Sequence, residues 1–255
     1  MEHEAYLSGL IQAFGVEIAI ISQRIAKPKS WGTLYWQFND AWPGISWSSI
    51  DYFGRWKPLQ YMAKRSYPNV AIFCQDGKIT AVNDNLYNVQ AVTIVKVFNL
   101  DGSLLYNKTE TIELKENEVR NMPDVKSFNG KDVIVYTEII AGRNKEMWTT
   151  ATFYPFKDLS LDPSAKLFVS YNTEFDIITL RTDKVIKNLY ISHPDEYLKF
   201  SDNYFDLVPG RSYKVSLLPS HYGEEKIKLA KLKEKMLYRS YIQIHTNTNL
   251  EVVEE

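Results

Sequence analysis

Apolar residues recur every three or four positions through the start of the chain: Leu7, Leu10, Ile11, Phe14, Ile18, Ile21 and Ile25. That spacing places them on one stripe of an α-helix. Pro28 ends the run, because it lacks an N–H and restricts Lys27 before it. So broad an apolar face needs a large partner surface and nothing precedes it here, so these residues read as the interior of something larger. Residues 33–38 form a short, nearly continuous apolar and aromatic run, the pattern of a strand buried on both faces. Residues 39–49 are loop-like yet carry Trp42 and Trp47, and Trp56, Leu59, Ala63 and Tyr67 mark a second helix. Helix, buried strand, aromatic loop, helix is the order expected at the end of an α/β barrel.

From Val70 the texture changes to alternating runs: 71–74, 78–83, 89–98, 103–106, 133–140 and 148–154. Asp76-Gly77 and Asp101-Gly102 lie between such runs and predict hairpin turns. With no helical stripe intervening, this is an antiparallel sandwich of about 90 residues, close to immunoglobulin-domain size. Residues 158–164, with Pro163, read as a linker to a second sandwich with strands over 166–171, 176–182, 185–191 and 213–218. Pro209-Gly210 supplies a turn before the last of these. The tail over 224–239 alternates Lys226, Lys228, Lys231, Lys233, Lys235 and Arg239 with Glu224, Glu225 and Glu234, and reads as a solvated helix or a final strand with a charged outer face.

Charge and composition exclude several classes. Lys+Arg is 30 against Asp+Glu 31, without the basic excess of a nucleic-acid binder. No uninterrupted apolar run approaches the ~20 residues of a membrane span, and the acidic opening is not a signal peptide. Cys74 stands alone, which excludes an internal disulfide framework and a Cys-based zinc site. There is no phosphate loop, no H-E-x-x-H and no G-x-S-x-G around Ser22, Ser48 or Ser49. His3, His193, His221 and His245 are isolated, which gives no metal site. The Asn107-Lys108-Thr109 sequon matters only in a eukaryotic secretory pathway.

What stands out is the aromatic content, 17 Tyr, 12 Phe and 6 Trp, with five of the Trp between Trp31 and Trp56. Trp faces stack on the C–H faces of sugar rings, and neighbouring Asn and Asp bond the hydroxyls, so a polar-aromatic mix at the end of a barrel strand is a plausible sugar floor. The same residues could instead fill a core. Trp36 and Trp56 sit in regular patterns compatible with packing, whereas Trp42 and Trp47 sit in a loop, where core packing explains less.

Gly32-Thr33-Leu34-Tyr35-Trp36-Gln37-Phe38-Asn39-Asp40-Ala41-Trp42-Pro43, then Ser46-Trp47-Ser48-Ser49-Ile50-Asp51-Tyr52 and Gly54-Arg55-Trp56-Lys57, resembles the end of the catalytic barrel of β-mannosidases in glycoside hydrolase family 2. The last two stretches resemble that branch more than the β-galactosidase or glucosaminidase branches. Ser201-Asp202-Asn203-Tyr204-Phe205-Asp206-Leu207-Val208-Pro209-Gly210 resembles a stretch of the final immunoglobulin-like domain of these enzymes.

The resemblance implies a mostly β chain: two immunoglobulin-like β-sandwiches (69–162, and 163–255 with its charged tail) preceded by the last strand and helices of a (β/α)8 barrel (1–68). It implies the C-terminal portion of an exo-acting, retaining β-mannosidase, whose two catalytic glutamates lie on barrel strands before this segment. No Asn-Glu or Glu-Phe-Gly motif occurs here, so no catalytic residue is assigned and the chain is expected to be inactive alone. Trp36 would form the floor beneath the sugar at the cleaved bond. Asn39 and Asp40 would be hydroxyl partners or loop-fixing groups, and Trp42 and Trp47 would line the entrance or pack the loop. Asp51 and Arg55 would tie the loop to the last helix. No metal or organic cofactor is implied. The implied partners are β-mannoside glycans and the missing N-terminal barrel and domains, with no nucleic acid and no membrane. The compartment stays open, secretion or the periplasm being compatible with the full-length enzyme. The alternative is a non-catalytic β-sandwich module that binds glycans or docks on a partner.

Overall fold

Asp76 and Gly77 both take positive φ, 50° and 73°, the backbone of a two-residue hairpin turn that matches the twist of its strands. A Cβ on Gly77 would come within 3.1 Å of the Lys126 backbone, so the position needs glycine for space as well as conformation. The turn joins β1 (Val70–Gln75) to β2 (Lys78–Asn83), as the Asp-Gly pair predicts. The protein is seen here as a computed structural model, which describes residues 2–142, 145–219 and 227–255. The chain divides into two compact units: Met1–Phe14, Tyr35–Met62 and Leu161–Glu255 in the first, Gly15–Leu34 and Ala63–Ser160 in the second. Helices α1 (Glu2–Arg24) and α2 (Pro58–Ser66) contribute residues to both.

In the second unit β1, β2 and β5 (Val119–Asn121) form one sheet. The other runs in the order β4 (Leu104–Leu114), β3 (Val89–Asn99), β6 (Val133–Ala141), β7 (Lys145–Thr152). Ile72, Phe73, Val97, Leu114 and Ile139 are buried in one core. The buried Thr137 and Thr149 hydroxyls bond each other at 2.9 Å, and the Ile72 carbonyl, within reach of both, accepts the proton their mutual bond leaves over, so polar groups inside this core are paired. β4 runs well past residues 103–106, since its outer edge tolerates the polar stretch from Asn107 to Glu113. Buried Arg24 donates to the carbonyls of Ser66 and Pro68, the latter at 2.7 Å, and to Asp84 at 2.7 Å. A cation there suits the end of α2, where carbonyls lack helical partners.

The first unit holds β8 (Lys166–Asn172), β9 (Ile177–Thr182), β10 (Ile186–Ser192), β11 (Lys199–Phe200), β12 (Phe205–Leu207), β13 (Tyr213–Leu218), β14 (Leu237–Arg239) and β15 (Glu251–Glu254). One sheet has the order β11-β13-β9-β8-β15, with β15 parallel to β8, and the other β12-β10-β14. The 201–210 stretch acts as a clamp. The Asn203 side chain bonds both the N–H and the carbonyl of Ile191 at 2.9 Å, and Asp206 accepts the Asn188 N–H at 2.8 Å and pairs with Lys187. In the tail, α3 (Leu229–Leu232) buries both leucines, so a helix and the strand β14 both occur. α4 (Tyr241–Thr246) begins with a capping box between Ser240 and Gln243. Ser220, His221, Glu224, Glu225 and Lys226 lie outside the described residues.

Two expectations change. The buried face of α1 is Tyr6, Leu10, Ala13, Ile20 and Arg24, while Ile11 and Ile18 are exposed. This face is rotated by about one residue from the predicted stripe, because the helix is apolar nearly all round and its pattern barely distinguishes faces. Residues 33–38 form no strand. A parallel strand needs neighbours for its N–H and C=O groups, and the backbone partners this segment has, the Ser49 and Ile50 N–H groups on the Gln37 and Phe38 carbonyls, lie at its end beside the isolated Asn39 to Ile50 bridge.

Candidate functional site

The aromatic loop is built in the first unit from residues 35–57. It starts with Gln37 and Phe38, whose carbonyls accept the N–H groups of Ser49 (3.1 Å) and Ile50 (2.9 Å), while Asp40 N–H returns to Ile50 at 3.0 Å. Ile50 then faces Trp56 in an antiparallel bridge, flanked by Asp51 N–H to Arg55 and Lys57 N–H to Ser49. Gly54, at φ 78°, makes the tight return, and the Asp51 carboxylate accepts the Arg55 N–H at 2.8 Å. Gln12 of α1 donates to the Trp47 carbonyl at 2.6 Å. A Cβ on Gly9 would come 3.0 Å from the Pro58 ring, so glycine lets α1 approach the start of α2. The Trp36–Gln37 peptide bond is cis.

Inside the loop lies a polar knot. Asp40, 8% exposed, accepts from the Ser46 hydroxyl and pairs with Lys57 at 3.3 Å. Lys57 Nζ also donates to Ser48 Oγ at 2.8 Å, and Ser48 Oγ donates to the Ile50 carbonyl at 2.8 Å. The Ser46 hydroxyl first, with Ser48 and the Lys57 ammonium beside it, holds the Asp40 carboxyl below its ordinary range. Both Asp40 oxygens are therefore engaged within the loop. Asn39 is exposed, its Nδ2 donating to the Asp40 carbonyl at 3.2 Å.

Outside the knot the aromatics point to solvent. Trp36 and Trp42 are each 74% exposed and Trp47 59%, and Leu34, Phe38 and Ile45 are exposed beside them in sequence. Of the residues singled out from sequence, Asp40 enters the knot and Asn39 flanks it, while Trp36, Trp42 and Trp47 lie open. Trp56 is half-buried, packing its edge on Tyr61 with ring centroids 5.2 Å apart. Lys57, Ser46 and Ser48 were not assigned a role from sequence. Their signal is a buried carboxylate needing a cation, which local spacing does not reveal over 17 residues.

Comparison with known proteins gives this architecture a class. Residues 161–244 match the profile of the mannosidase Ig-fold domain. A β-D-mannosidase from Dictyoglomus thermophilum has a similar fold (TM-score 0.78, 24% identity, 97% of this chain and 30% of that one). So does an exo-chitosanase from Amycolatopsis orientalis (TM-score 0.69, 16% identity, 94% and 33%). The chain is thus mostly β, with an immunoglobulin-like sandwich of glycosidase type. A probable β-mannosidase of Caenorhabditis elegans is 26% identical over 211 residues, covering 72% of this chain and 23% of that protein. The chain is homologous to β-mannosidases and spans about a quarter of the length of the curated relatives it matches.

Proposed function

We propose that this chain is the C-terminal portion of an exo-acting, retaining β-mannosidase: the end of its catalytic barrel (1–68) and two immunoglobulin-like sandwiches (69–162 and 163–255). The observation that carries the reading is the similarity to β-mannosidases over 72% of the chain. The exposed Trp36, Trp42 and Trp47 support it, since an open aromatic face can stack on the C–H face of a sugar ring. In this reading Trp36 forms the floor beneath the mannose ring, positioning it and excluding water. Trp42 and Trp47 line the entrance, Asn39 meets a hydroxyl, and Asp40 fixes the loop through Ser46 and Lys57. Two carboxyl groups about 5 Å apart perform retaining hydrolysis. They belong to the remaining barrel, whose strands would also flank residues 33–38.

The test is an aryl β-mannoside assay with protein free of host glycosidases. The chain alone is expected to give no turnover, and co-expression with a polypeptide carrying the rest of a β-mannosidase barrel is expected to produce it. Turnover by the chain alone would refute the assignment of the catalytic glutamates to the remaining barrel. Tight glycan binding by the chain, with no activity from any barrel-bearing partner, would favour a non-catalytic binding module.

A further inference from the structure

The return of the aromatic loop is held from the immunoglobulin-like part of the same unit. In the bridge between Ile50 and Trp56, hydrogen bonds run through Asp51 and Lys57, so the Trp56 N–H points away from the loop. The Tyr197 hydroxyl, between β10 and β11, accepts it at 2.7 Å. The Arg55 guanidinium lies 5.7 Å from the Tyr197 ring centroid, and the Lys199 ammonium 4.5 Å from that of Trp56. These groups border a cavity of about 470 Å³ also lined by Tyr190, His193 and Glu196. Without Tyr197 the Trp56 N–H would face that cavity unpaired by protein, a costly state for a half-buried backbone donor.

Resting on the sugar-binding reading of the loop, we propose that Tyr197 is a positioning residue that sets the loop by fixing the Trp56 backbone. The path is short: Tyr197 to Trp56, Trp56 to Ile50, Ile50 to Asn39, with Asp40 and its Ser46–Lys57 knot next in line. The path matters because among the described residues no strand flanks residues 33–38, so the loop rests on its two bridges, its polar knot and the few bonds that reach it from outside. Burial raises the Tyr197 phenol to about 12, so its oxygen accepts the bond as a neutral group throughout the working pH range.

The experiment compares the full chain with Tyr197→Phe by amide hydrogen exchange over residues 36–57 and by tryptophan fluorescence titration with methyl β-mannoside. Exchange of the Ile50 and Trp56 amides is expected to accelerate about five- to tenfold, the effect of one hydrogen bond, with β8 to β10 unchanged. Lys199→Met, which keeps the aliphatic stem over Trp56, is expected to give about a twofold effect. Glu196→Gln, on the cavity but off the path, is expected to give none. Equal exchange in Tyr197→Phe and the parent overturns the proposal whatever the sugar does, as does a uniform acceleration that includes β8 to β10. If the loop alone loosens and neither protein binds the mannoside, the positioning role stands and sugar binding by the loop without the remaining barrel is excluded. If the parent binds and Tyr197→Phe binds about five- to tenfold more weakly, both stand.

Discussion

Replacing Lys187 by Met removes one ammonium and little volume. Lys187 is 2% exposed and its partner Asp206 4%, so water screens neither. The other Asp206 oxygen accepts the Asn188 N–H at 2.8 Å. Lys187→Met therefore takes the lysine cation away from a buried carboxylate. One-sided loss of a buried pair costs about 3–5 kcal/mol, and at about 2–4 °C per kcal/mol for a protein of this size the melting temperature should fall by roughly 10 °C. The effect should reach α1, because Tyr6 donates to the Asn188 carbonyl at 2.5 Å and the Phe14 ring lies 5.9 Å from the Lys187 ammonium. The assay is urea unfolding followed by circular dichroism, with amide exchange at residues 6–14. The double variant Lys187→Met/Asp206→Leu should recover most of the loss, since replacing both charges removes the desolvation problem. A single-variant cost below about 1 kcal/mol would refute the burial argument. A double variant no better than the single would show that packing, not charge, was lost.

Other outcomes follow from the same geometry. Trp36→Ala should cost at most about 1.6 kcal/mol of stability, taking about a quarter of a ~250 Å² side chain at about 25 cal/mol/Å², against about 2–5 kcal/mol for the buried Leu10→Ala; thermal melts of both check this. In an enzyme reconstituted with its barrel, Trp36→Ala should lower kcat/KM about a hundredfold, or about 2.7 kcal/mol. Lys184, with Ser164, draws the Asp162 carboxyl down to about 2 from 3.8. A depressed carboxyl stabilises above its unfolded value and loses that contribution as pH falls from about 4 to about 2, so Lys184→Met should flatten the acid limb of a stability–pH curve. Burial pushes the Cys74 thiol up to about 12, so a thiol reagent at pH 8 should label it only after denaturant is added.

Much of the sandwich architecture was legible in the chain. β2 and β13 coincide with runs read from alternation, and Asp76-Gly77 places a hairpin turn because few residue pairs accept two positive φ angles. The aromatic loop was legible too, since five tryptophans within 26 residues is a chemical signal that needs no fold. Short strands such as β11, β12 and β14 escaped, because two or three residues carry no period. β15 escaped because its partner β8 lies some 80 residues earlier in the chain.

At the site the division is sharper. Residue type and order mark residues 32–57 as a polar loop dense in tryptophan and the 201–210 stretch as a distinct motif. Tertiary structure decided the roles within them: Asp40 turns inward because Ser46 and Lys57 meet it there, and Asn203 and Asp206 become a clamp because β10 runs past them. It decided as well that Thr33 to Phe38, though composed as a buried strand, forms no strand here and meets backbone partners at its end, through Gln37 and Phe38. Composition records what a segment can bury, but a strand exists only where neighbouring backbones supply its hydrogen bonds, and that is a property of space rather than of sequence.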